Sequence, residues 1–205
     1  MELISQFECV GPHTFTWQGY EPAVKCDLTS TAVDIAGRLV FVDPVGLTDS
    51  ALAELLNGCT PSAILLTNAN HQRDSLALRD RLEIPIIAAE PARAEIIADI
   101  WIDLSNPTPV HGLRPIPLPG AGLGEVAYYS AGDEPCLIFG DAAINLPPDG
   151  LRLLPEKYCE DAGFLRKSMM ALAGLNVQTL HFAHGRPVTH RAAEALRALL
   201  ESLDK

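Results

Sequence analysis

From residue 13 the chain alternates polar and apolar side chains, so that HTFTWQGY (13–20) and STAVDI (30–35) read as strands of an antiparallel sheet. A turn at Gly37 leads into the apolar run LVFVD, which ends at Asp43. From Thr48 the spacing becomes helical, with Thr48 or Asp49 as N-cap and Leu52, Leu55 and Leu56 on one face up to Gly58. AILLT (63–67) then reads as a buried strand, RDSLALRDRL (73–82) as an amphipathic helix and IPIIAA (84–89) as another short strand. This alternation of strand and helix predicts a partly parallel, mixed sheet.

The second half repeats the order of events. LRPIPL (113–118), GEVAYYS (124–130) and CLIFGD (136–141) are strand-like; CEDAGFLRKSMMALAGL (159–175) is helical, TLHFAH (179–184) is a strand and THRAAEALRALLESL (189–203) a final helix. Thr189 is placed to cap that last helix, with Ala192, Leu196, Leu199 and Leu200 on its buried stripe. Two runs of sheet, each closed off by helices, predict two sheets packed face to face with helices outside, a four-layer αββα sandwich of the α/β (α+β) class. No repeat or linker interrupts the pattern, so residues 1–205 are expected to form one domain.

Composition narrows the partners. Fifteen Lys and Arg against 26 Asp and Glu give a net charge of −11, and no basic run is present, which argues against nucleic acid and anionic membrane. No apolar run is long enough to span a bilayer, and the start MELISQFECVGPH lacks the basic and continuous apolar segments of a signal peptide, so a cytoplasmic protein is expected. The five cysteines, Cys9, Cys26, Cys59, Cys136 and Cys159, are scattered with no C-x-x-C pair; most are expected to be buried apolar fillers. The apolar segments IPIIAA and EIIADIWIDL fit a homodimer interface or the core equally well.

Five segments in order carry a resemblance: LVFVDPV, AILLTNANHQRD, PIPLPGAGLGEVAYYS, CLIFGDAAI and LHFAHGRPV. Their order and spacing resemble the metallo-β-lactamase fold superfamily over roughly residues 12–200. Members run a strand ending in Asp, then T-H-x-H-x-D-H, then P-G-H-T-x-G, a strand ending G-D and a late G-H-G loop. The resemblance implies the αββα sandwich and a centre of two metal ions, because neutral imidazoles and carboxylates bind the ion and the ion lowers the pKa of its water to about 7.

Placed on that pattern, the motif histidines fall on Asn68 and Asn70, the metal-binding Asp on Gln72, the last motif His on Arg73 and the P-G-H histidine on Ala121. Asp141 and His184 are kept, and Asp43 matches a residue that supports the motif loop without binding metal. Amides are poor ligands for transition metals, and a guanidinium has no acceptor. The resemblance therefore implies a degraded centre with no metal expected, in which Arg73 pairs with Asp141 and Asn68 and Asn70 complete a hydrogen-bonded cleft. His71 falls on a variable position, either an incidental loop histidine or a replacement ligand, and Asp74 either caps the next helix or joins it. A mononuclear zinc or iron site of His71, Asp74, Asp141 and His184 is the alternative.

Other candidates read as bland. His181 lies on an apolar strand as a core histidine; His13, His111 and His190 are surface residues; LPGAGLGEV is a turn and not a dinucleotide fingerprint. Three functions follow. The first is a pseudoenzyme that uses the cleft as scaffold or for a small, anionic ligand. The second is a metal-dependent hydrolase with a reduced site. The third is a metal-independent enzyme with His184 or His71 as base and Arg73 as anion anchor.

Overall fold

The computed structural model describes residues 2–203. Seven strands form the first sheet, in chain order: β1 (Glu8–Gly11), β2 (Thr14–Glu21), β3 (Cys26–Ile35), β4 (Arg38–Val42), β5 (Thr60–Leu65), β6 (Ile86–Ala89) and β7 (Ile100–Ile102). The first four are antiparallel neighbours; β4, β5, β6 and β7 run parallel. The parallel half is made possible by α1 (Asp49–Leu55) and α2 (Ser75–Leu82), which carry the chain back between strands. Thr48 caps α1 as predicted, its Oγ1 accepting from the Ala51 N–H.

The second sheet contains β8 (Arg114–Pro117), β9 (Val126–Ser130), β10 (Cys136–Phe139) and β13 (Thr179–Phe182) in the order β13, β10, β9, β8, with β10 and β13 parallel. Between them in sequence lie the hairpin β11 (Ala143–Leu146) and β12 (Gly150–Leu153) and the helix α3 (Ala162–Met169); α4 (Ala192–Glu201) ends the fold. Among the described residues no helix is long and apolar enough to cross a membrane.

Strand alternation sorts side chains into three cores, which is what makes four layers. In β4, Leu39 and Phe41 face α1 and α2, while Val40 and Val42 face the second sheet. In β10, Ile138 returns that contact and Leu137 and Phe139 face α3 and α4 through Leu165, Met169, Leu196, Leu199 and Leu200. Fully burying one such side chain contributes about 1.5–3 kcal/mol. The stripe expected on the last helix is buried as predicted.

Several expectations need correction. Thr189 does not cap α4, whose N-cap is Arg191 in the left-handed region at φ 54°. Helix α3 is shorter than the 159–175 pattern because residues Met170–Leu172 tighten into a 3₁₀ turn, and Asp161 caps its start by accepting from Phe164 N–H. Only Cys136 is fully buried; Cys9 is exposed and the other three are half-buried, all as free thiols. The apolar segments divide: Ile84, Ile86, Ile87, Ile96 and Ile102 are core, whereas Ile97, before the edge strand β7, and Ile100, at its start, are exposed.

Candidate functional site

Parallel strands bring their carboxyl ends together, and ligand sites of open α/β sheets form there. Asp43 follows β4, Thr67 follows β5, Asp141 follows β10 and His184 follows β13, so four loops from two sheets meet in one place. The sheets are tied at this end by hydrogen bonds from Val126 N–H to Thr67 O (2.8 Å), from Thr29 N–H to Ala183 O (2.8 Å) and from Tyr128 O–H to Leu66 O (3.0 Å).

Asp43 is hydrogen-bonded to the loop that follows β5. Its Oδ1 accepts from Thr67 N–H (2.9 Å), and its Oδ2 accepts from Thr67 Oγ1 (2.5 Å) and from His71 Nδ1 (2.9 Å). The last of these contacts turns His71 inward. Asn68 caps a 3₁₀ turn over Ala69–His71, accepting from Asn70 N–H (2.8 Å), and this tight turn buries the His71 ring to 3% exposure while Gln72 points away and donates to Ile97 O (2.6 Å).

Three side chains converge. His71 Nε2 lies 3.4 Å and His184 Nε2 3.2 Å from Asp141 Oδ1, and the three ligand atoms lie within 4.8 Å of one another. The His184 ring is held from behind by Asp27 O, which accepts from Nδ1 at 3.3 Å, with Cys26 Sγ 3.5 Å from the same nitrogen. Both rings thus keep Nδ1 on an oxygen acceptor, and the neutral tautomer of each presents an Nε2 lone pair to the same point.

The charges follow from this packing. Burial opposes ionisation of His71, yet the flanking Asp141 and Asp43 carboxylates lift its pKa to about 9. Burial likewise pushes Asp141 and Asp43 up, and it is outweighed: His71 and His184 hold Asp141 well below the usual carboxylate range, and His71 and Arg73 hold Asp43 down. The His184 pKa is raised against burial by its bond to Asp141. Glu125 goes the other way, its carboxyl pushed well up by burial and by the neighbouring Asp141.

Arg73 does not pair with Asp141. Its Nη1 donates to Thr29 O (2.7 Å) and Asp43 O (2.8 Å), and its Nη2 donates to Ala183 O (3.1 Å). Main-chain carbonyls from within β3 and from just past the ends of β4 and β13 take the two terminal nitrogens of the guanidinium, while its Nε is buried without a partner. Asp74 lies outside the cluster because its Oδ2 accepts from Gly46 N–H (2.8 Å); it occupies the N-cap position of α2 without a side-chain capping bond. Asn70 is exposed, and Ala121 is buried with only a methyl group to offer.

Glu125 was not anticipated. It is 1% exposed, and its Oε1 accepts from Ala142 N–H (2.9 Å) and its Oε2 from Asn68 Nδ2 (2.7 Å); that same nitrogen donates to Asp141 Oδ2 (2.9 Å). A lone acid inside the apolar strand pattern GEVAYYS was the only available signal. His181 is a core histidine as read, with Nδ1 unpartnered and its pKa pushed down to about 4 by burial.

No family model matches the sequence, and no curated protein matches it significantly. Solved structures do match at the level of fold. The DIM-1 metallo-β-lactamase is 13% identical with a TM-score of 0.75, covering 97% of this chain and 98% of that one. A metallo-β-lactamase from Hirschia baltica is 14% identical with a TM-score of 0.70, covering 98% of each chain. The B3 metallo-β-lactamase BLEG-1 is 20% identical with a TM-score of 0.66, covering 85% of this chain and 93% of that one. These likenesses cover 85–98% of this chain, and the chain has the metallo-β-lactamase fold.

Proposed function

We propose that the protein is a hydrolase built around a single divalent ion held by His71 Nε2, His184 Nε2 and Asp141 Oδ1. The observation that carries this reading is a pair of distances. Ligand atoms about 2.0–2.1 Å from a tetrahedral zinc ion lie about 3.3 Å from one another, and the two nitrogens lie 3.4 and 3.2 Å from Asp141 Oδ1. Charge-assisted hydrogen bonds would draw closer, to about 2.7–2.9 Å. Two imidazoles and one carboxylate are a sound donor set for zinc, and for ferrous iron as well. The second ion of the superfamily has no such set, since Asn68, Asn70 and Ala121 stand where its imidazoles would be.

When bound, such an ion supplies Lewis acidity and makes a water nucleophilic near neutral pH. The chain's own residues do the positioning. Asp43 and Thr67 fix the His71 ring; Asp27 O fixes His184; Asn68 engages Asp141 Oδ2 and leaves Oδ1 toward the imidazoles. With three protein ligands, such an ion would have room for a water, as hydrolysis requires.

A second reading is favoured by the His71 pKa of about 9. Without an ion, a buried imidazolium lies between Asp43 and Asp141 and neutralises them, which would suit a noncatalytic scaffold. The two readings separate on a panel of β-lactam, thioester, lactone and phosphodiester substrates assayed after zinc or iron loading and again with chelator. Chelator-sensitive hydrolysis, lost in His184→Ala, supports the hydrolase; no turnover of any class after loading supports the scaffold.

A further inference from the structure

We infer that Asn68 and Glu125 are positioning residues that restrict this centre to one ion and hold Asp141 in single-oxygen ligation; the inference rests on the one-ion reading above. The amide of Asn68 cannot turn over. Its Oδ1 is occupied by Asn70 N–H at 2.8 Å, so Nδ2 must aim both protons at Glu125 Oε2 (2.7 Å) and Asp141 Oδ2 (2.9 Å). An NH₂ group therefore fills the space between two carboxylate oxygens that a bridging cation would take, and its two protons face the oxygens that cation would need.

Glu125 grips Asp141 from both sides. One oxygen holds the main chain next to it, at Ala142 N–H (2.9 Å), and the other holds the Asn68 amide that in turn holds Oδ2. With Oδ2 engaged, Oδ1 is left for the imidazoles of His71 and His184. The loop sequence permits the arrangement: a Cβ at Gly140 would come within 2.7 Å of Glu125 Oε1 and 2.5 Å of Thr67 Oγ1, so the carboxylate packs where a side chain would otherwise lie. Supports of this kind typically change metal affinity 10- to 100-fold when removed.

The test is a Co(II) titration of the full chain, read by the visible d–d absorption and by chelator competition, with thermal unfolding followed in parallel. Wild type should bind one equivalent with the intense spectrum of a four-coordinate ion. Asn68→Ala and Glu125→Gln should each weaken binding about 10- to 100-fold and weaken the d–d bands as Asp141 becomes free to ligate through both oxygens. Gln72→Ala, which faces Ile97, should change neither. Wild type that binds no cobalt overturns the one-ion reading and this inference with it. Uptake of two equivalents, or variants that melt earlier yet keep wild-type affinity and spectrum, overturns the positioning role alone.

Discussion

Replacing Arg73 with alanine should destabilise the fold through its carbonyl contacts and not through Asp141. The guanidinium donates to Thr29 O, Asp43 O and Ala183 O, which belong to β3, the end of β4 and the loop after β13, and so clasps both sheets at the site. Each hydrogen bond from a charged donor contributes about 1.5–3 kcal/mol, so three contribute at least about 4.5 kcal/mol. Releasing the buried guanidinium offsets part of this, while Asp43 loses a neighbouring positive charge. The net loss expected is about 3–5 kcal/mol, a large fraction of the total stability of an ordinary domain. The assay is urea unfolding at pH 7 with chelator present, so that ion binding does not add to the native state. A loss under about 1 kcal/mol with an unchanged denaturant slope would refute the clasp.

Three further outcomes are expected. In ion-free protein the folded-state pKa of His71 lies above its unfolded value of 6.5, at about 9. Its contribution, about 3 kcal/mol, is therefore fully present below pH 6.5 and lost as pH rises through 9. Unfolding curves across that window check this, and ion uptake at pH 7 should release about one proton, measurable by calorimetry in two buffers. Asp43→Asn should lower zinc affinity about 10- to 100-fold by loosening the His71 ring, read by competition with a coloured chelator. Gly185→Ala should cost at least about 2 kcal/mol, because Gly185 has φ +104° and an added Cβ would meet the Asn145 carbonyl; thermal unfolding measures it.

Much of the fold was legible because alternation in β2 and β3, the continuous apolar run of the doubly buried β4 and helical spacing in α1 and α4 come directly from which face each side chain buries. The hairpin β11 and β12 escaped notice: β12 is half-buried throughout and β11 passes from two buried to two half-buried residues, so neither shows alternation. Of the site, Asp43, Asp141 and His184 were readable from the ends of strands. His71 was legible only as one of two alternatives, an incidental loop histidine or a replacement ligand, because a residue's position in a motif says nothing about the 3₁₀ turn that, with the pull of Asp43, points it inward while Gln72 faces Ile97. Arg73 was misassigned for a related reason. Its charge invited a carboxylate partner, but a guanidinium takes the acceptors within reach, and here those are carbonyls. Glu125 sits at the end of a glycine-rich turn, where an acid ordinarily faces water; only the packing around Gly140 shows that it turns inward.

The central claim is that His71, from a variable position of the motif, has become a metal ligand. Equilibrium dialysis of wild type and His71→Ala against zinc at pH 7.5, followed by elemental analysis, addresses it directly. The account predicts one zinc per chain in wild type and a loss of at least about 100-fold in affinity in His71→Ala, with the variant still folded by circular dichroism. Wild type that takes up no ion, or a variant that binds zinc as tightly as wild type, would contradict it.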